Sequence, residues 1–113
     1  MIETIILNYL TGAGITAVME VPEGGGTPPF VVIERTGGGE SNLLRQATVA
    51  IRSYGASLYA AAALNDLIVK IMEGLPELPS VASCDLNSDY NYTDTEKHQY
   101  RYQAVFDIVY YDD

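Results

Sequence analysis

The residue types that carry most enzyme chemistry are thin in this chain. It holds one histidine, His98, and one cysteine, Cys84, among 113 residues. Nucleophilic catalysis needs a nucleophile, a base and a group that orients the base. His98 stands in the polar run Thr93–Gln99 beside Glu96 and Lys97, which reads as a solvated turn. No serine sits in a G-x-S-x-G elbow. A lone Cys84 excludes an internal disulfide and any C-x-x-C redox or zinc motif, and reads as a small apolar side chain. Phosphate binding needs a glycine loop that opens a helix. Gly24–Gly26 and Gly37–Gly39 precede strand-like runs instead, and Gly12-Ala-Gly14 follows a helix-like one. The stretch Asp85-Leu-Asn87-Ser-Asp89-Tyr-Asn91-Tyr-Thr93-Asp-Thr-Glu96 sets oxygen ligands at positions 1, 3, 5 and 12 of a calcium loop. Its sixth residue, Tyr90, stands where the sharp turn of such a loop needs glycine. Alternation along 82–92 accounts for the same acids as an exposed strand face. The sequence therefore assigns no catalytic residue, no cofactor and no metal site, and predicts a protein that is not an enzyme.

Charge narrows the partners. Fifteen acids against six bases give a net charge of −9. Gripping nucleic acid requires clustered Lys and Arg, and Arg35, Arg45, Arg52, Lys70, Lys97 and Arg101 are scattered. The longest apolar stretches, Leu58–Leu64 and Leu67–Ile71, fall far short of the roughly 20 residues of a membrane span. Met1–Leu10 has neither a basic start nor a cleavage site, so no secretory leader is expected. The length fits one domain over residues 1–113, with enough apolar sequence for one core.

The elements follow from periodicity. Ile2, Ile5, Ile6, Tyr9 and Leu10 make one helical stripe over residues 2–10, stopped by Gly12 and Gly14. Ile15–Val21 reads as a strand ending at Pro22, and Glu23–Pro29 as a flexible loop. Phe30–Arg35 reads as a second strand, Thr36–Asn42 as a second flexible loop, and Leu43–Tyr54 as a third strand. These connections suggest antiparallel pairing throughout. Ser57 is a good N-cap for a helix over 58–73, with Leu64, Leu67, Ile68, Ile71, Met72 and Leu75 inward and Gly74 and Pro76 at its end. Residues 81–92 alternate as a strand, with Ala82, Cys84, Leu86, Ser88, Tyr90 and Tyr92 on one side and Ser83, Asp85, Asn87, Asp89 and Asn91 on the other. Tyr100–Tyr111 is the last strand, with Tyr102, Ala104, Phe106, Ile108 and Tyr110 facing one way. The expected class is α+β: two helices packed on a mostly antiparallel sheet of about five strands, in the order α-β-β-β-α-β-β. Six of the nine tyrosines, Tyr90, Tyr92, Tyr100, Tyr102, Tyr110 and Tyr111, fall near the end. They suit cross-strand packing and protein contacts alike.

This order resembles the small tail-terminator (tail-completion, neck) proteins of long-tailed bacteriophages. The likeness lies in Ala47-Thr-Val-Ala-Ile-Arg-Ser-Tyr54 running into the alanine-rich Leu58-Tyr-Ala-Ala-Ala-Ala-Leu-Asn-Asp-Leu67, in the closing strand Tyr100–Tyr111, and in the N-terminal helix leading into a hairpin. The resemblance implies a virion structural protein, assembled in the host cytoplasm and resident in the tail or neck. It implies a homo-oligomeric ring, usually of six copies, that caps the tail tube protein, meets a head–tail connector protein, and leaves a channel through which DNA passes without specific binding. Acids lining such a channel would repel phosphate. Glu20, Glu23, Glu34 and Glu40, with Gly24, Gly37, Gly38, Asn42 and Tyr111, are the candidates for lumen or subunit interface. Two other readings stay open: another head–tail connector or neck subunit, and a small ligand- or peptide-binding accessory domain.

Overall fold

The structure is a computed structural model and describes residues 1–41 and 43–111. Asn42, one of the interface candidates, lies outside the described residues. The chain runs α1 (Ile2–Gly12), β1 (Ala17–Val18), β2 (Phe30–Ser41), β3 (Leu44–Gly55), α2 (Leu58–Met72), β4 (Val81–Asn91) and β5 (Tyr100–Tyr111), with short 3-10 turns at Glu23–Gly25 and Leu75–Glu77. The class is α+β, and the strands form a sheet in the order β1-β2-β3-β5-β4. The three long pairings are antiparallel. Inserting β5 between β3 and β4 leaves β4 as an edge strand.

Both helices press on one face of the sheet. Ile2, Ile6 and Leu10 from α1 and Ile68 and Met72 from α2 are buried in one cluster with Val31, Ile33, Val49, Ile51, Ala104, Phe106 and Ile108 from the strands. The two helices are also tied directly, since the Tyr9 hydroxyl donates to the Ile71 carbonyl at 2.8 Å. Gly74 makes room for that tyrosine: a Cβ there would stand 2.6 Å from its oxygen. Burial first, then the negative charges of Glu77 and Cys84, hold the Tyr9 phenol above its ordinary pKa. α2 begins as its sequence suggests, with the Ser57 hydroxyl accepting from Ala60 N at 3.0 Å, a cap worth about 1 kcal/mol. Its inward stripe is Ala61, Asn65, Ile68 and Met72. Leu67, expected inside, is exposed, and the helix is rotated so that small Ala61 meets the end of β3. There the last residue of β3, Gly55, lies against the first turn of α2. The added methyl of any other residue would collide with Ala61 N and with the Ala60 carbonyl carbon.

Four sequence expectations are corrected. β1 covers two residues rather than Ile15–Val21, and it pairs parallel with β2, Ala17 opposite Val31 and Val18 opposite Val32. Residues 19–29 supply the return that a parallel neighbour requires. Thr36–Ser41 is strand, not flexible loop: Gly37 pairs with Thr48, Gly38 with Ala47 and Gly39 with Gln46, after a bulge between Arg35 and Gly37. Glycine is a poor strand former, but here it is laid on β3, which β5 already holds on its other side, and the ladder overrides the propensity. The alternation of 82–92 is broken by bulges between Val81 and Ser83 and between Leu86 and Ser88. The second bulge moves Ser88 and Tyr90 to the face opposite Leu86, because one extra residue inverts a period of two. Finally, α1 runs through Gly12, and it is Gly14, at φ +89°, that takes the left-handed turn.

Candidate functional site

The other face of the sheet carries no helix, but Phe30, Val32 and Tyr54 form a second buried cluster on it with Val18, and its side chains are ordered in cross-strand rows. Phe30, Tyr54 and Arg101 are register partners, and Tyr92 continues the row through its N–H on the Arg101 carbonyl. The Phe30 and Tyr54 rings stack 4.5 Å apart. The Arg101 guanidinium lies 4.6 Å from the centre of the Tyr92 ring and donates to the Tyr92 carbonyl at 2.6 Å. The next row is Val32, Arg52, Gln103 and Tyr90. Arg52 Nη1 bonds Glu34 Oε1 at 2.7 Å, and Gln103 Nε2 donates to the Tyr90 hydroxyl at 2.6 Å. Burial is the largest single influence on Arg52 and works against its charge, yet the hydrogen bonds and charges of Glu34 and Tyr54 together outweigh it and hold the guanidinium above its ordinary pKa. A third row sets Asp85 directly opposite Asp107. Asp107 accepts from Thr48 Oγ1 at 3.3 Å and from Asn87 Nδ2 at 2.9 Å. Beyond it, the side-chain-free strand at Gly38 and Gly39 leaves an open hollow of about 420 Å³ walled by Gln46, Thr48, Asp107 and Val109.

The sequence-predicted interface residues fall into separate places. Glu20 is exposed after β1, and Glu23 and Gly24 form the 3-10 turn. That turn lies at the end of the sheet where Gly25 approaches Gln99. Gly37, Gly38 and Glu40 lie in the far half of β2, and Tyr111 pairs with Leu44 at the same end. β2 is 12 residues long, so the two groups stand about 30 Å apart at ~3.3 Å per residue. Glu34 lies between them with its charge engaged by Arg52. The candidates are thus not one cluster. Sequence reasoning missed the Arg52, Gln103 and Tyr54 network. The signal was present: these residues alternate in the opposite phase to the inward Val49, Ile51, Ala104 and Phe106.

Among the described residues, the groups that could carry chemistry lie apart. His98 is exposed in the β4–β5 connection at φ +53°, beside a hollow of about 300 Å³ formed with Gly24, Gly25, Tyr54 and Tyr100. The acids of the calcium-like stretch diverge. Asp85 faces Asp107 on the uncovered face, Asp89 accepts from Asn65 Nδ2 of α2 at 2.9 Å, and Asp94 Oδ1 accepts from the N–H groups of Glu96 and Lys97. Among the described residues no group of three or more His, Cys, Asp or Glu is placed to hold a metal ion. Cys84 is half-buried, and burial, with Asp85 adding to it, pushes its thiol up to about 12. Among the described residues no helix is long and apolar enough to cross a membrane.

Both edges of the sheet present backbone. β4 pairs only with β5 among the described strands, and β1 covers β2 only at Val31 and Val32. Fold and surface together define an α+β domain with helices on one face of the sheet, a smaller buried cluster of Phe30, Val32 and Tyr54 on the other, and β4 at one edge. Compared with models of known protein families and with curated protein sequences, the chain matches none.

Proposed function

We propose that the protein is a subunit of a phage virion, a tail-terminator ring that caps the tail tube and joins it to the head while leaving a channel for DNA. The observation that supports this best is the sheet itself: helices pack on one face only, β4 lies at one edge, and β1 covers the other edge only at Val31 and Val32, so other protein chains can cover the remaining backbone. The dispersal of ionisable groups fits an assembly role better than a catalytic one. Its partners are further copies of this chain, in a ring of six, then the tail tube protein and a connector protein. DNA passes without specific contact, which suits a net charge of −9. The place of action is the tail or neck, after assembly in the host cytoplasm. Negative-stain imaging of the purified protein, alone and mixed with tail tubes, tests the reading. Hexameric rings, and rings seated on tube ends, are the expected result. A protein that stays monomeric at high concentration and ignores tube ends overturns it.

A further inference from the structure

At the far end of the sheet, on the side where the helices pack, lies a hollow of about 240 Å³. Ile5 of α1 supplies an apolar wall. Arg35 of β2, Arg45 of β3, Tyr110 of β5 and Ser80, just before β4, supply the polar lining. Strand pairing brings these together: Arg45 and Val81, the residue after Ser80, are both register partners of Tyr110. The polar side chains share one property. Two guanidiniums and two hydroxyls can all donate hydrogen bonds, and no acid is among the lining residues. Glu40, the register partner of Arg45, is exposed and lies outside the lining. On a chain with fifteen acids and six bases, this hollow is a local reversal of charge.

Tyr110 gives an independent sign of a ligand. It is 5% exposed, yet among the described residues its hydroxyl has no hydrogen-bond partner. A buried tyrosine hydroxyl usually finds one, and leaving it unpaired is costly. The hydroxyl is not sealed inside the core, and the hollow is where it emerges. Arg35 is held in place by its Nε, which donates to the Gly37 carbonyl at 3.1 Å. Arg45 has a partner of its own. A guanidinium carries several N–H donors, so each arginine can keep its present contact and also hold an anion.

We propose that this hollow binds a phosphate group, as the free ion or as a monoester. Its donors come from β2, β3, β5 and the segment before β4, so they surround a ligand rather than face it from one side. A tetrahedral oxyanion presents its oxygens in that manner, whereas a carboxylate offers two in one plane. The site lies within one chain and stands apart from the ring reading.

Calorimetric titration of the full chain with inorganic phosphate, at ionic strength held constant with sodium chloride, tests the proposal. Glycerol phosphate forms a second arm and sodium acetate the planar control. One saturable site per chain is expected, with acetate weaker. Saturable binding in either phosphate arm supports the site and identifies its source. Tyr110→Phe keeps the ring and removes the hydroxyl, and Ser80→Ala removes the other hydroxyl. Each should weaken phosphate binding about tenfold, the loss of one hydrogen bond to a charged group. In chloride alone Tyr110→Phe should leave Tm unchanged or raised, because it deletes an unpaired hydroxyl. If that variant fails to fold, Ser80→Ala decides. No saturable binding in either phosphate arm, acetate binding as tightly as phosphate, or folded hydroxyl variants that bind like the parent overturns the proposal.

Discussion

Gly55→Ala tests whether the junction between sheet and helices is as tight as the geometry demands. Gly55 closes β3 two residues before the Ser57 cap, and its φ is not left-handed, so backbone conformation alone would accept alanine. The space would not. The new methyl meets Ala61 N and stands 2.8 Å from the Ala60 carbonyl carbon, both backbone atoms of the first turn of α2. A side-chain tip could swing aside; a capped helix turn must move as a body, disturbing the Ser57 to Ala60 bond and the burial of Ala61. Overpacking of this kind costs about 1–3 kcal/mol, and the rigid neighbour places the cost near the upper end. Unfolding entropy of about 2.1 cal/mol/K per residue gives ~240 cal/mol/K for this length, so ~3 kcal/mol lowers Tm by about 12 °C. Gly39→Ala is the matched control: it lies in a strand, at ordinary φ, with nothing within 4 Å of the added Cβ. It should leave Tm unchanged or raise it slightly, because alanine restricts the unfolded chain. Thermal unfolding followed by circular dichroism reads both. Equal Tm values for the two variants would refute the close-approach argument.

Asp85→Lys should raise the urea midpoint of the monomer by about 0.2–1 kcal/mol equivalent, since it turns a facing pair of acids into an opposite-charge pair. A lower midpoint would show that the Asp85–Asp107 contact is not a liability. Asn65→Asp should destabilise the fold in a pH-dependent way. The side chain is 1% exposed and bonded to Asp89, so a carboxyl there gains a raised folded pKa. Its contribution is retained at low pH and lost as pH rises above the unfolded value of about 3.9. Chemical denaturation at pH 4 and pH 8 should therefore show the larger deficit at pH 8, and the reverse order would count against it. Cys84, with its thiol pushed up to about 12, should resist alkylation in the native protein at neutral pH and react on unfolding. Because its folded pKa lies above its unfolded one, it stabilises the fold fully below about pH 8.5 and loses that contribution as pH climbs toward its folded pKa. Cys84→Ala should lack that alkaline slope in denaturation experiments.

Much of this architecture is legible in the chain because burial imposes periods. Ile2, Ile6 and Leu10 mark α1, and the alternation of Ala104, Phe106, Ile108 and Tyr110 fixes which side of β5 meets the helices. The misreadings share one cause: a local signal was overruled by a neighbour distant in sequence. Gly37–Gly39 carry the composition of a loop, but Ala47 and Thr48 supply the ladder that straightens them. The run at 82–92 alternates cleanly, but its pairing with β5 needs two bulges, and a bulge leaves no trace in a period-two pattern. Asn65 looks like a surface residue between Leu64 and Leu67, yet it is inside because Asp89 waits across the α2–β4 boundary. The Arg52–Glu34–Gln103–Tyr90 network requires strand order as well as strand faces, and β5 reaches β3 only after α2 and β4 have intervened.

That late insertion of β5 also shapes the surface. Had β4 taken the place beside β3, the closing strand, which is apolar on both faces toward its C-terminal end, would lie at the edge with Val105 and Val109 exposed. With β5 in the interior, the edge falls to β4, whose bulges, aspartates and asparagines resist indiscriminate strand addition. The sheet order that completes the hydrophobic core therefore also decides which strand lies at its edge.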